Sequence, residues 1–211
     1  MALTPTDKLI THFDAALKSV TGTVGMTPRP SPAKTIAEAD LSSDQRALAA
    51  SLMRVNHCGE VCAQALYHGQ ALTARSSRTA NSLKVSAEEE TDHLSWCEER
   101  IRQLDSHVSY LNPFWYGASF SMGALAGLLG DKINLGFVAA TEEEVCRHLD
   151  RHLEKLPAQD EKSRQILASM REDEARHAAT AIESGGARLP KPVKAVMRGI
   201  SRLMTRTSYW I

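Results

Sequence analysis

Two short motifs in the sequence each place a glutamate and a histidine three positions apart. The first is Glu90-x-x-His93 and the second is Glu174-x-x-His177. Side chains three residues apart lie on the same face of an α-helix. In some helical bundles, two such pairs and one further glutamate from each of two other helices build a two-iron or two-manganese carboxylate site. The motifs therefore indicate a candidate two-metal site.

Three candidate glutamates occupy positions where a helix should contribute apolar side chains to a core. Glu90, Glu142 and Glu174 each continue a run of residues spaced three and four apart. The other members of these runs include Leu83, Ala87, Leu94, Cys97, Ile101 and Leu104; Leu135, Val138, Val145 and Leu149; and Leu167, Met170 and Ala181. Burying an ionised carboxylate is costly unless it is paired or bound to a cation. Three such acids favour a metal over the structural alternative, in which arginine or water satisfies each one.

A fourth glutamate completes an internal repeat. Glu60 alone is typical of a solvated surface acid, and the adjacent Gly59 lowers helix propensity, which suggests close packing or ligand access. However, Glu60 precedes Glu90 by 30 residues, and Glu142 precedes Glu174 by 32. Each half of the chain thus has a lone glutamate followed by a Glu-x-x-His motif on the next helix. We expect two helical hairpins related by a pseudo-twofold axis and joined by a crossover over residues 105–133. This is an all-α, ferritin-like four-helix bundle with a di-iron core.

Composition supports this fold class and limits the functional classes. Of the 211 residues, 43% are hydrophobic, 24% are charged and 5% are aromatic, which is ordinary for a soluble protein. Residues 187–211 carry six Lys or Arg and no acid, so residues 1–186 have 19 basic and 25 acidic residues, a net of −6. A basic tail on an acidic body indicates contact with an anionic surface and argues against a nucleic-acid partner.

Periodicity and turn residues predict the order of the elements. A helix over residues 6–20 precedes a proline-rich connector over 21–37, and Gly185-Gly186 ends the last bundle helix. The four bundle helices are expected over about 42–75, 79–104, 134–156 and 160–184. The predicted divisions are an N-terminal helix and connector (1–41), the ferritin-like di-iron domain (42–186) and a basic amphipathic helix (187–211).

A zinc site is the alternative for the remaining metal-binding side chains. His57, Cys58 and Cys62 are close in sequence, and His148 and His152 are four apart, but no complete four-ligand set is evident. Mixed carboxylate and imidazole ligands favour iron. We interpret His148 as a core histidine or as a residue that supports the site, with a hydrogen bond to a neighbouring carboxylate. We interpret His152 as a surface residue, and Glu88 and Glu89 as solvated.

The ordered set of motifs resembles the demethoxyubiquinone hydroxylase family, the di-iron monooxygenases of ubiquinone biosynthesis. The similarity covers about residue 42 to the C-terminus. Its matching stretches are LMRVNHCGE (52–60), EEETDHL (88–94), LNP with the following Trp115 (111–113), AATE (139–142) and REDEARH (171–177).

The resemblance implies a metal site, a reaction and a substrate. Two irons would be held by Glu60, Glu90, His93, Glu142, Glu174 and His177, with Glu90 and Glu142 expected to bridge. The implied reaction is hydroxylation of the ring of a polyprenyl methoxy-methyl-benzoquinol by dioxygen, with electrons that can come from NADH. No Rossmann glycine fingerprint is present. NADH or another electron donor would therefore bind loosely near the site or act through a partner protein, and its binding residues are unknown.

The sequence departs from the family pattern at two positions and leaves rival functions open. Cys58 stands where the family has a small residue, and Leu149 follows His148 where some relatives have a tyrosine proposed for electron transfer. The rivals are a ferritin- or rubrerythrin-like protein that handles iron or peroxide, and a non-enzymatic scaffold that binds quinone lipids. A tRNA-modifying di-iron hydroxylase is a third, disfavoured by the acidic body.

We expect peripheral attachment to the cytoplasmic side of the inner membrane. The four cysteines lack disulfide-domain spacing and no signal peptide precedes them, which indicates a cytoplasmic protein. The apolar segment 111–130 is either a core helix with a turn or an interfacial segment. The helix over 190–211 has an apolar stripe beside a basic stripe that suits an anionic leaflet. Its alternative is packing of the apolar stripe on the bundle.

Overall fold

The computed structural model describes residues 29–211 together with Asp14, Leu17 and Ser19. Most of the predicted helix over 6–20 and most of the connector therefore lie outside the described residues. The described part contains six long α-helices and no strand. They are α1 (Ser43–Thr73), α2 (Ser77–Gln103), α3 (Asn112–Leu128), α4 (Asp131–Lys155), α5 (Glu161–Glu183) and α6 (Lys191–Ser208). The all-α prediction is confirmed, and each helix lies close to its predicted bounds.

Local sequence signals set where the bundle helices begin and end. Ser42 and Gln45 form a capping box at the start of α1, in which each side chain accepts a hydrogen bond from the other residue's backbone N–H. Asp160 caps α5 by accepting a hydrogen bond from the Ser163 N–H at 3.0 Å. Gly185 follows α5 with φ +98°, a conformation that favours glycine. These signals set the start of α1, which carries Glu60, and both ends of α5, which carries the second motif.

Four helices form the ferritin-like bundle. α1 packs on α2, α4 packs on α5, and contacts between α1 and α4 and between α2 and α5 join the two hairpins. The largest buried apolar cluster includes Leu52, Met53, Trp96, Leu149, Leu167 and Met170. The predicted two-hairpin layout is therefore present.

A buried arginine ties the connector before α1 to the bundle. The guanidinium of Arg100 donates two hydrogen bonds to the Glu38 carboxylate, at 2.7 and 3.0 Å, and one to Asp160 at 2.9 Å. It also donates to the Ser163 hydroxyl at 2.9 Å. Because Arg100 is almost fully buried, these carboxylates supply the charge compensation that burial requires. The connector is thereby held against α2 and the start of α5.

The crossover helix α3 is a core helix on one face and an exposed apolar helix on the other. Its Gly123 lies against the backbone of Leu66 in α1, and Gly69 of α1 lies against the backbone of Phe120. On the other face, Phe114 and Leu125 are 64% and 63% exposed. The core-helix interpretation of segment 111–130 is thus correct for one face of α3, and contact of the other face with lipid stays a prediction. Among the described residues, no helix has the length and apolar character needed to cross a membrane.

The α1–α3 contact gives a stability prediction. An alanine Cβ at Gly123 would collide with the Leu66 backbone, so we expect Gly123→Ala to destabilise the protein by about 1–3 kcal/mol. Gly117 on the same helix is the matched control, because a Cβ there meets no atom within 4 Å. Gly117→Ala should be neutral or stabilise by about 0.5–1 kcal/mol. Urea unfolding measures both variants, and equal midpoints would contradict the close packing.

The C-terminal helix α6 is anchored at its end and packs through part of its apolar stripe. The Arg54 guanidinium donates to the Tyr209 carbonyl at 3.0 Å, and the Ser208 hydroxyl donates to Cys58 Sγ at 3.1 Å. Met197, Ile200 and Met204 face the bundle, where they line an apolar pocket. Val196 and Leu203 remain 63% and 57% exposed. The alternative in which the stripe packs on the bundle is therefore correct for one side of the stripe only.

Candidate metal centre

The structure brings the predicted metal ligands together inside the bundle. Glu60, Glu90, His93 and Glu174 place potential ligand atoms within 4.8 Å of one another, and all four are buried. His177 joins them, because its Nδ1 lies 3.3 Å from Glu90 Oε1 and 3.2 Å from Glu174 Oε2. The solvated alternative for Glu60 is wrong, since α1 turns this residue into the interior.

Glu142 faces the same interior site from α4. It is buried and accepts a hydrogen bond from the Tyr67 hydroxyl at 2.6 Å. Burial raises the pKa of Glu142 well above its usual range, and the nearby carboxylates of Glu174 and Glu90 raise it further. All six predicted ligands therefore contribute to one charged cluster.

Two glutamates lie between the two imidazoles. Glu90 places Oε2 3.0 Å from His93 Nδ1 and Oε1 3.3 Å from His177 Nδ1. Glu174 places Oε1 3.1 Å from His93 Nδ1 and Oε2 3.2 Å from His177 Nδ1. A carboxylate with one oxygen toward each histidine suits a bridge between two metal ions. Glu174 shares this position with Glu90, whereas Glu142, the other predicted bridging residue, accepts a hydrogen bond at Oε1 from the Tyr67 hydroxyl.

The donor atoms fit a pair of divalent cations. Glu60 Oε2, Glu90 Oε1 and Glu142 Oε2 are buried without a hydrogen-bond partner among the described residues. A buried carboxylate oxygen without a partner is costly, and a metal ion removes that cost. Four carboxylates beside two neutral imidazoles also balance the charge of two divalent ions. The mixed oxygen and nitrogen donor set suits iron.

Protons compensate part of the charge of this cluster. Burial raises the pKa of Glu60 well above its usual range, and the charges of Glu90 and Glu174 add to this effect. Burial alone would lower the pKa of His93, but the charge of Glu90 raises it well above its usual range. Burial likewise opposes protonation of His177, whose pKa is nonetheless raised to about 12 by Glu174 and Glu90. Because metal ligation requires neutral imidazole, metal binding would displace these protons.

The Nε2 atom of each motif histidine contacts an acid from the other motif's helix. In both cases this acid directly precedes the glutamate of that other motif. His93 Nε2 lies 3.0 Å from Asp173 Oδ2, and His177 Nε2 lies 2.5 Å from Glu89 Oε2. An Nε2–H that donates to a carboxylate leaves the Nδ1 lone pair directed at the site, as in many metal centres. The interpretation of Glu89 as solvated is therefore incomplete: its side chain is 38% exposed, and its carboxylate also contacts His177. The available signal was the repeat itself, since an acid directly precedes the glutamate of both motifs.

Arginine side chains hold the carboxylate of Asp173 more firmly than that of Glu89. Asp173 accepts hydrogen bonds from Arg29 Nη1 at 2.7 Å and from Arg176 Nη1 at 2.8 Å, and its side chain is 8% exposed. Glu89 is 38% exposed, and its only ion pair with an arginine in the described residues is to Arg176 at 3.8 Å. Arg29 also lies over the Trp96 ring, 4.9 Å from its centroid. The connector thus takes part in the site through Arg29, a role that the sequence did not indicate.

This inequality predicts different effects on metal affinity. We expect Asp173→Asn to weaken iron binding about 10–100-fold. The substitution removes the carboxylate that two arginines hold in place and that anchors His93. Glu89→Gln should weaken it less, because its carboxylate is more exposed and less constrained. Anaerobic titration with ferrous iron measures both isosteric variants. Equal losses of affinity would show that the arginine support has no effect.

An apolar pocket adjoins the metal ligands. Its wall includes Glu60, and it lies between α1, α3, α4 and α6. Its apolar and small side chains are Val55, Gly59, Cys62, Ala63 and Leu66; Trp115, Ser119 and Met122; Phe137, Val145 and Leu149; and Met197, Ile200 and Met204. A Cβ added at Gly59 meets no atom within 4 Å, which indicates ligand access instead of close packing at this glycine. The pocket therefore offers an apolar ligand a position beside a candidate metal ligand.

Comparison with known proteins decides the family. Residues 47–208 match the family model described as ubiquinone biosynthesis protein COQ7. The chain belongs to the COQ7 family. Curated relatives named 3-demethoxyubiquinol 3-hydroxylase include those of Stutzerimonas stutzeri, 57% identical over 98% of this chain and 96% of the relative, and Nitrosococcus oceani, 54% identical over 99% and 98%. A relative of the same name from Acinetobacter baumannii is 55% identical over 97% of both chains. The predicted family, fold class and enzyme class are confirmed.

Tyr67 is a site residue of this COQ7-family chain that the sequence interpretation missed. It is buried in α1, and its ring lies edge-on to the His177 ring with 6.4 Å between centroids. Burial and the nearby Glu142 carboxylate raise the pKa of Tyr67 well above its usual range, so the hydroxyl stays protonated and donates to Glu142. The available signal was spacing, since Tyr67 lies seven residues after Glu60 and therefore on the same helix face.

The surroundings of the two histidines of α4 differ from those predicted from the sequence. His152 is buried, not a surface residue, and its Nδ1 lies 2.9 Å from Asn56 Oδ1. His148 is half-buried and lies beside His152, with 3.9 Å between the ring centroids and 55° between the ring planes. Its Nε2 is buried without a hydrogen-bond partner among the described residues, so the predicted bond from this nitrogen to a carboxylate is absent there. Burial lowers the pKa of His148 to about 4 and that of His152 to about 2.

Proposed function

We propose that this chain is a di-iron monooxygenase that hydroxylates the ring of demethoxyubiquinol, a polyprenyl methoxy-methyl-benzoquinol. The observation that carries the proposal is the sharing of Glu60 between the carboxylate–histidine cluster and the wall of the apolar pocket. A quinol ring in the pocket would lie next to the metal ligands. The names of the curated relatives support the same substrate.

The chain's residues would perform three tasks in this reaction. The ligands would be Glu60, Glu90, His93, Glu142, Glu174 and His177. Two bound irons supply the activation of dioxygen that protein side chains lack. Asp173 and Glu89 orient the imidazoles, and the Tyr67 hydroxyl holds Glu142 in place. The apolar wall of the pocket excludes water and orients the ring. An external reductant, NADH or another donor, must provide two electrons for each hydroxylation.

Iron reconstitution under anaerobic conditions, followed by an activity assay, tests this function. We expect two irons per chain by metal analysis and, with a short-chain demethoxyubiquinol and a chemical reductant, a hydroxylated product. With ¹⁸O₂ the new hydroxyl should contain labelled oxygen. Iron-loaded protein that destroys peroxide but leaves the quinol unchanged would favour the rubrerythrin-like alternative. Failure to bind iron would favour the lipid-binding scaffold.

The proposed function includes peripheral binding to a membrane, because a polyprenyl quinol resides in lipid. Exposed apolar residues occur on both α3 and α6, the two helices that flank the apolar pocket: Phe114, Leu125, Val196 and Leu203. An exposed apolar surface beside a ligand pocket is typical of interfacial contact. We place the enzyme at the cytoplasmic side of the inner membrane, where partner proteins of ubiquinone biosynthesis would have access to it.

Two exposed valines test this orientation. Val196→Glu on α6 should reduce flotation with liposomes by about tenfold. Burial of the valine side chain in the bilayer contributes about 1.5–3 kcal/mol to membrane binding, and the glutamate loses this contribution. Val85→Glu on α2 is the matched control, since Val85 is 55% exposed and lies away from the pocket. Iron content should remain unchanged in both variants. Equal flotation of the two variants would place the membrane-binding surface elsewhere.

A further inference from the structure

A cysteine thiol lies in the wall of the apolar pocket that adjoins the metal ligands. Cys62 of α1 lines this pocket and is half-buried. It follows Gly59 by three residues and precedes Leu66 by four, and both of these also line the pocket. The three positions therefore share one face of α1. Cys62 is thus in contact with the space that the proposed function gives to the quinol ring.

An unpartnered polar group in the same wall indicates that the pocket holds a ligand. Trp115 is 5% exposed and lines the pocket. Its indole Nε1 is buried and has no hydrogen-bond partner in the described part of the chain. A buried N–H without an acceptor is costly, so it favours a ligand that combines an apolar body with an oxygen atom. A substituted benzoquinone is such a ligand.

The surroundings of Cys62 keep its thiol free and protonated. The thiol donates a hydrogen bond to the sulfur of Cys58, which also accepts one from the Ser208 hydroxyl at 3.1 Å. Residues four apart on a helix have Cβ atoms about 5–6 Å apart, whereas a disulfide requires about 3.5–4.5 Å. The helix therefore disfavours a disulfide between the two cysteines. The hydrogen bond to Cys58 raises the pKa of Cys62 well above its usual range, and burial raises it further.

A thiol of this kind reacts selectively only with a ligand that the pocket holds against it. The thiolate is the reactive form of cysteine, so a dissolved alkylating reagent should modify Cys62 slowly. A ligand bound in the pocket instead has its reactive atom at a high effective concentration beside the sulfur. The selectivity of Cys62 is therefore set by what the pocket binds.

The substrate of the proposed function has one ring carbon that a thiol attacks once the ring is oxidised. Two of the six ring carbons carry the quinol oxygens, and methoxy, methyl and polyprenyl groups occupy three of the other four. The remaining carbon carries hydrogen and is the one to be hydroxylated. In the oxidised form, a quinone, this unsubstituted carbon is an electrophile.

We propose that Cys62 is a modification site at which a benzoquinone with an unsubstituted ring carbon forms a thioether inside the apolar pocket. The sulfur lone pair forms a bond to that carbon, and the S–H bond breaks. The thiol proton and the proton of the attacked carbon move to the two carbonyl oxygens, so the quinone is reduced to a quinol. No atom leaves and no further reactant is needed. The identity of this quinone as the oxidised substrate rests on the proposed function.

The thioether makes the enzyme sensitive to the redox state of its own substrate. It ties a ring into the pocket and thereby blocks the access of further quinol to the metal ligands. The hydroxylated product carries oxygen on the carbon that the sulfur would attack, so it lacks the reactive position. The enzyme is therefore inactivated when its substrate accumulates in the oxidised form, but not by its product.

Mass spectrometry of the iron-loaded full chain tests the proposal. The iron is kept in its oxidised form and external thiols are omitted, so that neither reduces the quinone. With a methoxy-methyl-benzoquinone that carries a short isoprenoid tail, the protein mass should increase by that of one whole quinone. Peptide mapping should locate the adduct at Cys62. The dimethoxy analogue, which has no ring hydrogen, should form an adduct at least tenfold more slowly.

Cys146 is the internal control for the effect of the pocket. It is also half-buried, and burial raises its pKa to about 11, but it does not line the pocket. It should react at least tenfold more slowly than Cys62. After exposure to the quinone, each protein's remaining activity is compared with its own starting activity. Cys62→Ser should retain that activity, whereas Cys146→Ser should be inactivated like the wild type.

Each outcome decides the proposal separately from the proposed function. Absence of an adduct at Cys62, or equal rates at Cys62 and Cys146, overturns the modification site. Equal reaction with the dimethoxy analogue, or equal inactivation of Cys62→Ser and the wild type, also overturns it. Hydroxylation of the quinol with a chemical reductant is measured in parallel on unexposed protein. Its absence, together with a Cys62 adduct, contradicts the proposed function and leaves the modification site supported.

Discussion

A Glu174→Ala protein should fold but contain little iron and hydroxylate no quinol. Glu174 is buried, lies between both imidazoles and belongs to the four-residue group with metal-ligand geometry. Its removal takes away two donor oxygens and one of the four negative charges that balance two divalent ions. We expect activity to fall by more than the roughly 100-fold loss typical for a group that only supports a metal ligand.

The adjacent Glu172 supplies the matched control for this substitution. Glu172 is exposed on the same helix, so Glu172→Ala removes the same side chain without touching the site. We expect normal iron content and activity in that variant. Iron analysis, circular dichroism and the ¹⁸O₂ assay compare the two proteins. Full iron occupancy and activity in Glu174→Ala would show that the cluster is not the metal site.

Filling the apolar pocket should separate substrate binding from metal binding. In Gly59→Leu the new side chain enters the space beside Glu60, because a Cβ at Gly59 meets no atom within 4 Å and the residue lines the pocket. We expect hydroxylation of demethoxyubiquinol to be lost while two irons remain bound. Stability should hold or increase by up to about 1 kcal/mol, because leucine has a higher helix propensity than glycine.

Gly117→Leu is the control for the pocket variant. Gly117 is exposed on α3, has open space around its Cβ position and does not line the pocket. The same substitution there should leave quinol turnover unchanged. Steady-state assays with a short-chain quinol, together with iron analysis, compare the variants. Normal turnover by Gly59→Leu would mean that the ring reaches the metal ligands by another route.

Much of the candidate site was predictable because its information is local. The spacing of Glu90 and His93, and of Glu174 and His177, places each pair on one helix face whatever the surrounding fold. Acids at core positions indicate a metal because burial of an unpaired charge is costly. Capping residues and glycines set the helix bounds, so the helices of the described region lie close to their predicted positions.

The sequence therefore determined the helices, the six candidate ligands and the symmetric pairing of the two halves. Only the tertiary structure decided which side chains meet across helices. It placed Asp173 behind His93 and Glu89 behind His177, brought Arg29 from the connector to Asp173, and buried His152. The physical reason is that periodicity defines a helix face but not the helix that this face contacts. The rotation of each helix about its axis, and the approach of α3 and α6, depend on packing between residues far apart in the chain.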